Sequence, residues 1–122
     1  MLGCVEQADS ALTVRVGRLL DLEPARPWTI TALALRLHLA PTTFARRFTA
    51  EAGSAPAAWV RRHRIAHARR LLEQNLDVTD VAERLGFANP YHFSRVFKAV
   101  TGSPPSQARR AAVAKPLHGP GG

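Results

Sequence analysis

Phe44-Ala45-Arg46-Arg47-Phe48, followed by Gly53 and Pro56, returns further along the chain as Phe93-Ser94-Arg95-Val96-Phe97, followed by Gly102 and Pro105. Every matched position is offset by 49. An aliphatic–alanine pair, Leu33-Ala34 and then Val81-Ala82, precedes each copy by ten or eleven residues. In a helix–turn–helix the first helix braces the second, which enters the major groove of DNA. The crossing of the two axes needs a small residue, which Ala34 and Ala82 supply. A duplicated unit of this kind on a basic chain points to double-stranded DNA.

The punctuation around the repeat places the helices. Apolar spacing at Ala11, Val14, Leu19 and Leu22 predicts a first amphipathic helix over residues 8–22. The prolines at 24 and 27 end it. Thr29 caps a helix to about Leu37 that turns Leu33, Ala34 and Leu37 inward. Pro41 opens the next helix at a position where its missing N–H costs nothing, and Gly53 stops it. A long linker helix follows from Pro56 to about Asn75, with Trp59, Val60, Ile65, Ala68, Leu71 and Leu72 along one side. Asp77 or Thr79 caps a helix ending at Gly86, Asn89 caps one that Pro90 opens and Gly102 ends, and a last short helix spans 105–114. The expected fold is all-α, with about seven helices and two helix–turn–helix units joined by the linker helix. The expected segments are 1–28 (first helix and linker, part of the first subdomain), 29–53 (first unit), 54–75 (linker helix), 76–114 (second unit with closing helix) and 115–122 (disordered tail).

Charge supports the nucleic-acid reading. The chain has 122 residues and a formal net charge of +8, unevenly spread. Residues 1–27 hold three Arg against four acids, residues 36–70 hold eight Arg and only Glu51, and no acid follows Glu83. Such a field attracts polyanions and makes binding salt-dependent. The single cysteine, Cys4, gives neither a disulfide framework nor a thiolate metal cluster. No membrane span or export signal is recognisable, so the expected compartment is the cytoplasm.

Projected at 100° per residue, Phe44 and Phe48 share one side of their helix, as do Phe93 and Phe97. Opposite them stand Thr42, Ala45, Arg46 and Thr49 in the first copy and Tyr91, Ser94, Arg95 and Lys98 in the second, with His92 flanking. Arg46 and Arg95 occupy the same slot. A guanidinium donating two hydrogen bonds to guanine is the commonest specific base contact. Arg47, Thr49, Asn89, Lys98 and Arg109 are expected on the phosphate backbone. The 20 residues from Pro56 to Asn75 span about 30 Å as a helix, close to the roughly 34–36 Å between successive major grooves on one side of B-DNA. One chain could then read two segments without dimerising.

Residues 29–110 resemble the DNA-binding domain of the AraC/XylS family of bacterial transcription regulators. The stretch from Val78 to Lys98, with Gly102-Ser-Pro-Pro-Ser106 and Arg109, is similar to the family signature, as is Arg64-Ile-Ala-His-Ala68 with Leu71-Leu72. The resemblance implies seven helices, promoter-proximal binding and usually activation. It places base-reading slots on Thr42, Arg46, Tyr91, His92, Ser94 and Arg95. Three positions depart from the family pattern: His38 stands for the turn glycine, Ala40 for the cap residue, and Ala108 for an aromatic before the final Arg. Members usually carry a separate sensor or dimerisation domain, for which residues 1–27 are too short; the alternatives are a fragment, a truncated product or a short sensor-free member.

Three rivals are weighed against this reading. An enzyme would have to use His63 and His67, whose i, i+4 spacing suits zinc but lacks a third ligand; a solvated polar face is expected instead, with no metal and no cofactor. A non-specific architectural protein would use charge alone. An interaction module would bind RNA polymerase through the basic linker helix, and could coexist with DNA binding.

Overall fold

A computed structural model describes residues 11–114. Seven helices follow one another, with no strand among the described residues: α1 (Leu12–Leu22), α2 (Ile30–Arg36), α3 (Pro41–Ala52), α4 (Pro56–Glu73), α5 (Val78–Arg84), α6 (Pro90–Thr101) and α7 (Pro105–Ala114). The chain divides into two compact units after His63, so α4 contributes its first half to one and its second half to the other. The tail from 115 and the start of the expected first helix at 8–10 lie outside the described residues.

In the first unit, α1 and α2 pack on α3 around Leu12, Val16, Leu20, Trp28, Leu33, Ala34, Leu37, Phe44, Phe48 and Val60. The inward face of α1 differs from the expected one. Leu12, Val16, Gly17 and Leu20 are buried, whereas Val14 is 39% and Leu22 76% exposed. Val14 and Val16 are two residues apart, about 200° around a helix, so only one can face the core. In the second unit, α5, α6 and α7 pack together around Ile65, Ala68, Leu72, Val81, Ala82, Leu85, Phe93 and Phe97. The single apolar stripe expected along α4 is therefore two sets of residues. Val60 serves the first core; Ile65, Ala68 and Leu72 serve the second.

Local chemistry sets the helix ends. The Thr29 hydroxyl accepts from the Ala32 N–H at 3.1 Å, and the Asn89 side-chain oxygen from the His92 N–H at 2.8 Å. Gly53 (φ 79°) and Gly102 (φ 89°) take the left-handed conformation that ends α3 and α6. Asn75 does likewise at φ 68°, just beyond the end of α4. Asp77 sits at the N-cap of α5 but makes no cap hydrogen bond. Its carboxylate lies 3.3 Å from Arg109 instead.

The turn between α2 and α3 carries two local defects. His38 is left-handed at φ 59°, where its counterpart Gly86 (φ 76°) is unstrained. Ala40 occupies the N-cap of α3 with no side chain to accept an amide. Ala40→Ser should raise stability by about 1 kcal/mol in chemical denaturation, the usual size of a cap. His38→Gly should add a few tenths of a kcal/mol or more by relieving strain. An unchanged midpoint for Ala40→Ser would mean that the first amides of α3 are already satisfied.

Ala11, the N-cap of α1, has no side chain to offer either, yet this helix end is satisfied. Glu51, in the last turn of α3, accepts from the Leu12 N–H (3.0 Å), the Thr13 N–H (2.9 Å) and the Thr13 hydroxyl (2.9 Å). Partial burial alone would raise the Glu51 pKa. The Thr13 and Leu12 donors, helped by Arg47, outweigh that and hold the carboxyl below its ordinary value. A depressed carboxyl stabilises above the ordinary carboxylate range, and its contribution is lost as pH falls through the lowered value. The protection factors of the Leu12 and Thr13 amides, each referred to the intrinsic exchange rate at that pH, should therefore fall on acidification in the native protein and show no such acid step in Glu51→Gln. The same acid step in both proteins would assign the pH dependence to another group.

Candidate nucleic-acid interface

The two recognition helices, α3 and α6, each bury one side completely. Phe44, Phe48 and Phe93 are 0% exposed and Phe97 1%. In α3 the two rings lie 5.6 Å apart and Trp59 meets Phe48 edge-on at 5.4 Å. In α6 the Phe93 ring lies 5.7 Å from Phe97 and 5.1 Å from Phe87. These anchors fix which way each helix faces, because a rotation would pull two rings into water. Each buried aromatic is worth several kcal/mol.

The opposite side is exposed in the same pattern in both copies. Thr42, Arg46 and Thr49 are exposed on α3, and Tyr91, Arg95 and Lys98 at the matching positions of α6. Ala45 and Ser94, also matched, are half-buried. Among the described residues neither Arg46 nor Arg95 makes an ion pair, so both forks are available to a ligand. Tyr91 is 83% exposed, an arrangement that apolar packing within the unit does not explain. Phe87 has its ring 5.6 Å from the exposed His92, whose N–H the Asn89 cap holds. Arg47 is exposed, while Val96 in the matching slot packs on the core.

Two residues expected on phosphate have structural work as well. The Asn89 side-chain oxygen is committed to the α6 cap, leaving its amino group outward. Arg109 is half-buried beside Asp77, and its Nε is enclosed with no partner among the described residues.

Sequence reading missed several residues that hold these helices. Arg64 reaches from α4 to the Leu85 carbonyl at the end of α5, and its guanidinium lies 4.6 Å over the Phe87 ring. It thereby satisfies a helix C-terminus and braces the turn that carries Gly86 and Phe87. Burial lowers its pKa, though a guanidinium remains charged. In the first unit His63 departs from the solvated polar face expected of it. Its ring stacks on Trp59 at 5.1 Å and its Nε2 lies 2.9 Å from Asp21. Among the described residues no group of three or more His, Cys, Asp or Glu is placed to hold a metal ion. Trp28 is likewise structural. It donates to the Glu23 carbonyl at 3.1 Å and is flanked by Arg26 and Arg36, which also pair with the Glu23 carboxylate and depress its pKa.

A protein-family profile described as a helix-turn-helix domain matches residues 33–111, most of the chain. The chain belongs to the AraC/XylS helix–turn–helix family. Its AraC-type domain is 37% identical over 83 residues to the transcriptional activator NphR of a Rhodococcus species, covering 67% of this chain and 24% of that protein. It is 36% identical over 86 residues to the regulator GlxA of Rhizobium meliloti (strain 1021), covering 70% and 26%. Among solved structures, the DNA-binding domain of AdpA in complex with a target DNA superposes with a TM-score of 0.77 at 33% identity, covering 88% of this chain and 97% of that one. The AraC-type domain spans between 24% and 37% of the length of the curated relatives it matches. No helix among the described residues is long and apolar enough to cross a membrane.

Proposed function

We propose that this AraC-type chain binds double-stranded DNA with sequence preference, one recognition helix per unit entering a major-groove segment, and that it regulates transcription as an activator. One observation carries the reading: two helices in one chain bury paired phenylalanines at matched positions and expose an arginine at the same opposite slot, Arg46 and Arg95. A solubility surface needs charge but no register. Thr42, Tyr91, His92 and Ser94 flank these arginines as further base contacts, with Arg47, Thr49, Asn89, Lys98 and Arg109 toward phosphate. Activation is supported by relatives described as transcriptional activators, NphR and the Yersinia enterocolitica protein VirF. RNA polymerase would meet the basic linker helix α4 through exposed arginines such as Arg61, and such a regulator works in the bacterial cytoplasm.

Selecting bound sequences from a random DNA pool, then footprinting the winner alongside sedimentation, tests the proposal. A monomer should enrich a defined motif and protect two patches about one helical turn, roughly 34–36 Å, apart. No enrichment would favour an architectural protein that binds by charge alone. One patch per monomer would overturn the two-segment reading.

A further inference from the structure

We propose that Glu51 is a positioning residue for DNA reading by the first unit, setting the seat of α3, and with it Arg46, by gripping the start of α1. The inference rests on the proposed function above and assigns a residue that touches no base.

Glu51 is the only acid among residues 36–70, on the recognition helix of a segment otherwise built to meet phosphate. An unpartnered carboxylate there would oppose DNA binding. It is instead held by three donors, the Leu12 and Thr13 amides and the Thr13 hydroxyl, at 2.9–3.0 Å across 38–39 residues of sequence. Charge-assisted bonds to a helix start are among the stronger local contacts, and the positive end of the α1 dipole adds to them. The grip is at the last turn of α3, beyond the Phe44 and Phe48 anchors, where, among the described residues, the small Ala52 gives the only apolar contact of that turn with the core, so Glu51 adds a directional hold there.

The repeat supplies an internal control. The position matching Glu51 at an offset of 49 is Val100, which packs against the second core. The second unit therefore seats the end of its recognition helix by apolar contact. The first unit, with its strained turn and missing cap at His38 and Ala40, has only the small Ala52 in apolar contact at this end and adds the ion-to-helix contact of Glu51.

Glu51→Gln and, as a gentler probe, Thr13→Val should be titrated against the selected DNA duplex and against duplexes with the base preferred by Arg46 or by Arg95 replaced. Helical circular dichroism confirms folding under the same conditions. Glu51→Gln should weaken binding to the full site about tenfold, the scale of one lost charge-assisted contact, and Thr13→Val less. In an Arg46→Ala background, or on DNA lacking the Arg46 base, Glu51→Gln should cost clearly less than in the native protein, what remains coming from Thr42, Arg47 and Thr49 on the same helix, while discrimination in the Arg95 half stays intact. A merely stabilising residue would not produce that selective coupling. Wild-type affinity in folded Glu51→Gln, or equal loss in both halves, would overturn the proposal. Should Arg46→Ala itself leave base preference unchanged, the base-reading assignment fails instead, whatever Glu51→Gln does.

Discussion

Phe93→Ala should lower the stability of the second unit by about 3–5 kcal/mol, the range for deleting a fully buried aromatic. The ring is 0% exposed and meets Phe87 and Phe97 at centroid distances of 5.1 and 5.7 Å, so its removal empties space that three helices share. Repair by collapse is limited, because Val81 and Ala82 on α5, Leu85 just beyond its end and Phe97 on α6 are already buried in the same cluster. Every residue of that cluster comes from position 65 onward. Hydrogen exchange should therefore show protection lost first in α5 and α6, and chemical denaturation should report the loss in magnitude. A loss below about 1 kcal/mol would mean that the ring is not part of a close-packed core. At temperatures where the second unit has melted, the variant should also lose base preference in the half assigned to Arg95.

Arg95→Ala should weaken specific DNA binding by about 1–3 kcal/mol and relax preference at one base, the expected cost of a lost bidentate contact. Arg46→Ala should do the same in the other half. Arg95 should matter more. Its helix starts from the Asn89 cap and the unstrained Gly86, whereas α3 starts from Ala40 and a left-handed His38. Lysine at either position should restore charge without restoring preference, because the planar fork is lost. Titration against selected and random duplexes separates the cases. Equal loss on both kinds of DNA would mean that the arginines contribute charge alone.

Much of the architecture was legible because helix ends are decided by short-range chemistry. Pro41, Pro56, Pro90 and Pro105 open helices in the structure as expected, and Gly53 and Gly102 close them. The strained His38 and the capless Ala40 were also foreseeable, since φ preference and side-chain acceptors belong to the residue itself. The exposed and buried sides of α3 and α6 follow from the Phe pairs, because two aromatics four residues apart leave little choice of inward face.

What only the tertiary structure decided are the cases in which local pattern allowed more than one answer. Helix α1 has apolar residues on several sides, and the packing of α3 selected Val16 and Leu20 over Val14 and Leu22. The apolar residues of α4 read as one stripe until two separate cores divided them. Asp77 had the right position to cap α5, but Arg109 competes for its carboxylate. Glu51 read as one more acid, and Arg64 as part of a family-like linker segment with no partner assigned. Their partners, the start of α1 at Leu12 and Thr13 and the end of α5 at Leu85, lie tens of residues away in sequence. Periodicity and capping are properties of neighbouring residues and survive in a linear chain. A carboxylate that closes a distant helix, or a guanidinium that braces a distant turn, exists only once folding has brought the two segments together.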